Sequence, residues 1–145
     1  MKNAEVLLRF VLRWVGSVAL IAIVAVVMPY AWMDAIHRAL GMGPLPDQPV
    51  VGYLARSLSA FYAMFGGMLW RLSFDVRRYR PVLGYIGVAT VVFGLTLIGI
   101  DWLEGMPGFW KMGEGPITVL LGVILLVLLR NIRETQAVEQ EKVIN

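Results

Sequence analysis

The chain has 145 residues, 59% of them hydrophobic and 16% charged, with a formal net charge of +3 and a mean hydropathy of +0.72. A soluble domain of this size has too much surface to hide so many apolar side chains, so the composition points to lipid as the solvent. It excludes a disordered chain, and the absence of cysteine excludes a disulfide scaffold, a zinc ribbon, an iron–sulfur cluster and a thiol nucleophile.

A helix needs about 20 apolar residues to cross a hydrocarbon core about 30 Å thick. The first such run is Trp14 to Met33, which predicts a span over residues 10–29. Its length and the lack of a small-residue cleavage site argue against a removed signal peptide. Pro29-Tyr30-Ala31-Trp32 leads out of it into the interface. Over residues 31–40, Trp32, Ile36 and Leu40 share a helical face while Asp34, His37 and Arg38 lie off it, which predicts a short helix on the membrane surface. Gly41, Gly43, Pro44, Pro46 and Pro49 then make a rigid loop.

The second span is expected over about 50–72, interrupted by Arg56, and the third over about 81–103. The fourth, over about 112–130, is the shortest and spans only with Glu114 near the interface. Residues 1–133 thus form one transmembrane domain, an all-α antiparallel bundle of four helices with a short interfacial helix after the first, and 134–145 form a polar cytoplasmic tail.

Charge sets the orientation. Lys2, Arg9 and Arg13 precede the first span; Arg71, Arg77, Arg78 and Arg80 join the second to the third; Arg130, Arg133 and Lys142 follow the fourth. The opposite side carries Asp34, Asp47, Asp101, Glu104 and Glu114. The positive-inside rule places both termini in the cytoplasm, in agreement with an even number of spans, which requires them to share a side, and the expected location is a bacterial-type inner membrane. The basic residues mark helix ends rather than a nucleic-acid stripe, so no nucleic-acid partner is expected. Small residues mark the expected packing faces: Gly16, Ser17, Ala19, Ala22 and Ala25 in the first span, Ala55, Ser59, Ala63 and Gly67 in the second, Gly87, Thr90 and Gly94 in the third.

Charged groups within or beside spans are the only candidates for chemistry. A charge inside a span costs about 2.5–3.5 kcal/mol on insertion scales and usually turns inward to pair. Spacing puts Arg56 on the face of Ser59, Ala63 and Gly67, and Asp101 with Glu104 on that of Gly94 and Gly87. The expected ligand-binding set is Arg56, Asp101, Glu104 and Glu114, capped by Trp102 and His37, at the outer boundary. Arg56 would hold an anionic or carbonyl oxygen, with Trp102 or Trp110 against an apolar ring. Asp101 and Glu104 are the only catalytic candidates, as general acid or base. No metal site and no cofactor are expected.

The sparse pattern of Pro29, of Arg56 followed by Ser59, Ala60, Ala63 and Gly66-Gly67, of Glu104-Gly105-Met106-Pro107, and of Glu114 resembles the DoxX-like integral membrane proteins, mostly uncharacterised, over about residues 7–130. The resemblance implies a four-helix membrane fold and, as in a few members, a small subunit beside quinone-linked oxidoreductases. Three functions follow as expectations. The first is a non-catalytic membrane subunit or scaffold, partnered by the bilayer and by other membrane proteins or further copies of the chain. The second is a binding protein for a quinone- or lipid-like molecule. The third is a membrane enzyme using a carboxylate as acid or base.

Overall fold

The structure, a computed structural model, describes residues 2–144, with side chains described for residues 3–132. All regular structure among the described residues is helical: α1 (Lys2–Ile21), α2 (Ile23–Val27), α3 (Tyr30–Ala39), α4 (Pro49–Leu72), α5 (Arg80–Leu103) and α6 (Gly108–Ile144). Three stretches are long and apolar enough to cross a membrane, Asn3–Val27, Arg80–Leu103 and Gly108–Ile132. Four were expected. The exception is α4, which is long enough at 24 residues but whose Arg56, serines, tyrosines and paired glycines dilute its hydropathy. The first expected span is also longer than read: the helix begins at Lys2 and breaks once, at Ala22, where the bonds tighten (Ala22 N to Ala19 O, Ala25 N to Ala22 O). The side chains of the expected tail, 134–145, lie outside those described; the backbone of α6 runs on as helix to Ile144.

Local chemistry explains the boundaries. Proline disfavours a helical conformation in the residue before it, and α2 ends at Met28, ψ 133°, immediately before Pro29. Helix α3 stops at Gly41, whose φ is +75°, with Gly41 N–H bonded to Arg38 O and Met42 N–H to His37 O. Helix α5 stops in the same way at Gly105, φ +67°, with Gly105 N–H bonded to Trp102 O and Met106 N–H to Asp101 O. Both are Schellman ends, in which a left-handed glycine lets the chain reverse and satisfies carbonyls that the helix leaves open.

The chain divides into two compact units. One is Leu12–Arg71; the other combines Met1–Val11 with Leu72–Asn145. Within the first, the later part of α1 meets α4 at two glycines. A Cβ on Gly16 would lie 2.9 Å from Gly66 O, and one on Gly66 would lie 2.6 Å from Gly16 O. Beside this contact, Trp70 Nε1 donates to Ser17 Oγ at 3.0 Å, and the Arg13 guanidinium sits 5.4 Å from the centre of the Trp70 ring. Ala63 and Leu69 are buried on the same helix. Gly66, rather than Gly67, makes the close approach.

Within the second unit, α5 and α6 form an antiparallel hairpin closed by the Glu104–Pro107 turn. Glycines at matching spacing interlock along it. A Cβ on Gly94 would lie 2.7 Å from Val119 N and 3.0 Å from Gly115 O; one on Gly122 would lie 2.8 Å from Val91 N and 2.9 Å from Gly87 O. Leu8, Leu83, Ile86, Leu125 and Leu128 are buried in this unit. Without a hydrophobic driving force between helices in lipid, such backbone approach is what supplies the contact.

Much of the remaining apolar surface is exposed, including Val27 at 82% and Leu103 at 86%. Any side chain at Gly94 or Gly115 must force the hairpin apart. Gly94→Val and Gly115→Val are therefore each expected to lower stability in detergent by about 2–3 kcal/mol. Gly99, which has open space around its Cβ position, is the control: Gly99→Ala should be neutral or gain up to about 1 kcal/mol, read by thermal unfolding.

Candidate functional site

The expected site residues fall in both units. Asp101, Trp102, Glu104 and Glu114 lie in the α5–α6 unit; His37 and Arg56 lie in the unit of Leu12–Arg71.

At the hairpin turn, Asp101 occupies the last turn of α5 and is 3% exposed. Its main-chain carbonyl accepts the Met106 N–H at 3.0 Å, while its Oδ2 is buried with no hydrogen-bond partner. A buried polar atom without a partner forfeits about 1–3 kcal/mol, so such an atom stands out. Trp102 points outward, and the Lys111 ammonium lies 4.7 Å from the centre of its ring, a cation–π pair across the turn. Glu104 is exposed and caps α5, its N–H bonded to Ile100 O. Glu114, one helical turn along α6, accepts a 2.5 Å hydrogen bond from Trp110 Nε1, and Thr118 Oγ1 donates to its carbonyl. The turn thus gathers three acids, two tryptophans and one lysine. Among the described residues, no group of three or more His, Asp or Glu is placed to hold a metal ion.

Arg56 is exposed and Nη2 donates to Met28 O at 3.2 Å. That carbonyl stands at the end of α2, where Pro29 prevents the helix from continuing. A guanidinium there satisfies an open carbonyl and opposes the negative end of the helix dipole. Arg56 is therefore a cap on another helix, a role its position in the sequence does not reveal.

His37 is likewise committed to structure. Its Nδ1 lies 2.9 Å from Gly43 O, and since a carbonyl only accepts, Nδ1 carries the proton in this contact. Asp34 beside it ties the same loop down: Oδ1 accepts the Leu45 N–H at 2.8 Å and Oδ2 accepts from Arg38 Nε at 2.9 Å. The Tyr30 hydroxyl donates to the carbonyl of Pro46. Helix α3 and residues 40–46 are thereby one hydrogen-bonded module, with Trp32 and Ile36 left exposed.

Sequence reasoning missed a second polar cluster, at the other end of the hairpin unit. Glu5 Oε1 accepts from Arg9 Nη2 at 2.7 Å, and its Oε2 accepts from Arg77 Nε at 3.0 Å. The four-residue spacing of Glu5 and Arg9 was a readable signal; the contact with Arg77 was not. Gly115 and Gly122 were also missed, although they repeat the spacing of Gly87 and Gly94.

No family model matches this chain, and none of the curated proteins or solved structures compared with it matches either.

The loop module carries a pH prediction. The Leu45 N–H and, after it, the Arg38 guanidinium hold the Asp34 carboxyl below its ordinary value of 3.8. Asp34 then stabilises the loop fully above that value, and the contribution is lost as pH falls through the lowered one. Titration of the Asp34 carboxyl carbon by NMR should give a midpoint below 3.8 in the parent chain, moving upward in Arg38→Ala.

Proposed function

We propose that the chain is an integral membrane protein of four spans that serves as a non-catalytic subunit or scaffold. The observation that carries this reading is where the polar side chains are spent. Arg56 caps α2, His37 and Asp34 pin the α3 loop, Glu114 holds Trp110 and Trp102 stacks under Lys111. Each is engaged in holding backbone or neighbouring helix rather than turned toward a substrate.

In this reading α4 crosses the bilayer despite Arg56, because its 24 residues amount to about 36 Å of helix. Its exposed Leu54, Leu58, Phe61 and Met64 suit a lipid surrounding. Arginines at the ends of α1, α4, α5 and the apolar part of α6 support a reading with both termini in the cytoplasm of a bacterial-type inner membrane, in which α3 lies on the outer surface with Trp32 and Ile36 toward lipid. The DoxX-like pattern agrees with a four-helix fold of this kind and with a place beside a larger membrane complex.

The unpartnered, buried Oδ2 of Asp101 favours a second reading, in which the α5–α6 turn binds or transforms a quinone- or lipid-like molecule. The two readings separate cleanly. As a scaffold, the Asp101→Asn, Glu104→Gln double variant restores a deletion strain as fully as the parent chain, while Arg56→Ala loses about 1–2 kcal/mol of stability by leaving Met28 O unpaired. A double variant that folds at least as stably as the parent but fails to restore the strain would replace the scaffold reading with a functional carboxylate.

A further inference from the structure

Arg56 has a second task that capping does not exhaust. A guanidinium carries five N–H donors, and among the described residues only Nη2 is engaged, on Met28 O. The residue is exposed, and about two turns further along the same side of α4 Met64 is 65% exposed. One turn nearer the start of α4, and on the same side of the helix, Tyr53 is 69% exposed. These are two donor-bearing side chains on one exposed side of α4, one of them a guanidinium.

Position decides what they meet. Arg56 stands seven residues after Pro49, so its Cα is about 10 Å along the axis from the start of α4. Side chains on a helix lean toward its N-terminus, and a long arginine stem carries its head further in that direction. The bond to Met28 O, at the exit of α2, anchors the guanidinium at this level. Resting on the four-span reading above, that level is the glycerol and phosphate zone of the outer leaflet.

We infer that Arg56, with Tyr53 one turn above it, binds the phosphodiester of an outer-leaflet phospholipid. Arginine matches phosphate in shape and charge and uses two donors at once. The hydrogen bond to Met28 O fixes one edge of the guanidinium, so less freedom is lost when the rest engages an oxygen. The acyl chains of that lipid would run past Met64, further along the same side of α4. The site needs no net negative charge on the headgroup, since the phosphodiester is shared by anionic and zwitterionic phospholipids.

The test uses the full chain purified in a maltoside detergent, which carries no phosphate. Dioleoylphosphatidylglycerol, dioleoylphosphatidylcholine, dioleoylglycerol and glycerol 3-phosphate are each titrated in, with retention read by native mass spectrometry and stability by thermal shift. Both phospholipids are expected to be retained and to stabilise, with dioleoylglycerol and glycerol 3-phosphate doing neither. Arg56→Ala should weaken phospholipid retention about tenfold, the loss of one charge-assisted contact, with Arg56→Lys between the two and Tyr53→Phe weaker by about threefold.

Equal retention of dioleoylglycerol and phospholipid by the parent chain overturns the inference, and needs no variant to fold. Stabilisation by glycerol 3-phosphate alone also overturns it, in favour of a soluble phosphate ligand. A folded Arg56→Ala that keeps parental retention does the same. Failure of the four-span reading looks different: cysteines at Gln48 and Arg78 would then be labelled from the same face of sealed vesicles.

Discussion

In hydrocarbon a backbone N–H or C=O has no water to turn to, so every one of them must be paired within the protein or at its edge. That constraint accounts for most of what the chain does with its few polar residues. The two reversals after α3 and α5 both use a left-handed glycine, Gly41 and Gly105, to fold the last carbonyls back onto following N–H groups. Where proline rules that out, at Met28, a side chain from α4 supplies the donor. In the loop after α3, Asp34 accepts a backbone N–H while His37 and Tyr30 donate to carbonyls, converting a glycine- and proline-rich stretch into a closed module.

The second organising element is glycine as a contact surface. Lipid tails are as apolar as leucine, so helices gain little from hydrophobicity when they meet and depend on close packing. The α5–α6 hairpin brings Gly87 against Gly122 and Gly94 against Gly115, and α1 meets α4 at Gly16 and Gly66. In each case one helix presses into the backbone of the other at a place where a methyl group would collide. Leucines such as Leu83, Leu125 and Leu128 fill around the hairpin contact.

Much of this was legible beforehand. The apolar runs located α1, α5 and α6, and small-residue spacing marked Gly16, Gly87 and Gly94, because lipid imposes simple rules on length and side-chain size. The short helix α3 was readable from Trp32, Ile36 and Leu40, and the turn at Glu104–Pro107 from its glycine and proline. What pairs with what was not legible. Periodicity ranks faces within one helix and says nothing of the depth or rotation at which two helices meet. The hydrogen bond of Arg56 to Met28 O, at the broken end of α2, is not readable from such spacing. Glu5 and Arg77, far apart in the chain, met only once the backbone was placed. Asp101 was singled out by its position in a packing face, but that its Oδ2 is buried without a partner follows from packing alone.

The crossing of α4 is the claim on which orientation and the lipid contact of Arg56 rest, and the lack of cysteine makes it directly measurable. Single cysteines at Gln48, Arg78 and Gly108 are to be labelled with a membrane-impermeant maleimide in right-side-out and inverted vesicles. Four spans place Gln48→Cys and Gly108→Cys on the outer face and Arg78→Cys on the inner. Labelling of Arg78→Cys from the same face as Gln48→Cys, with Gly108→Cys on the opposite one, would mean that α4 does not cross and that the chain has three spans.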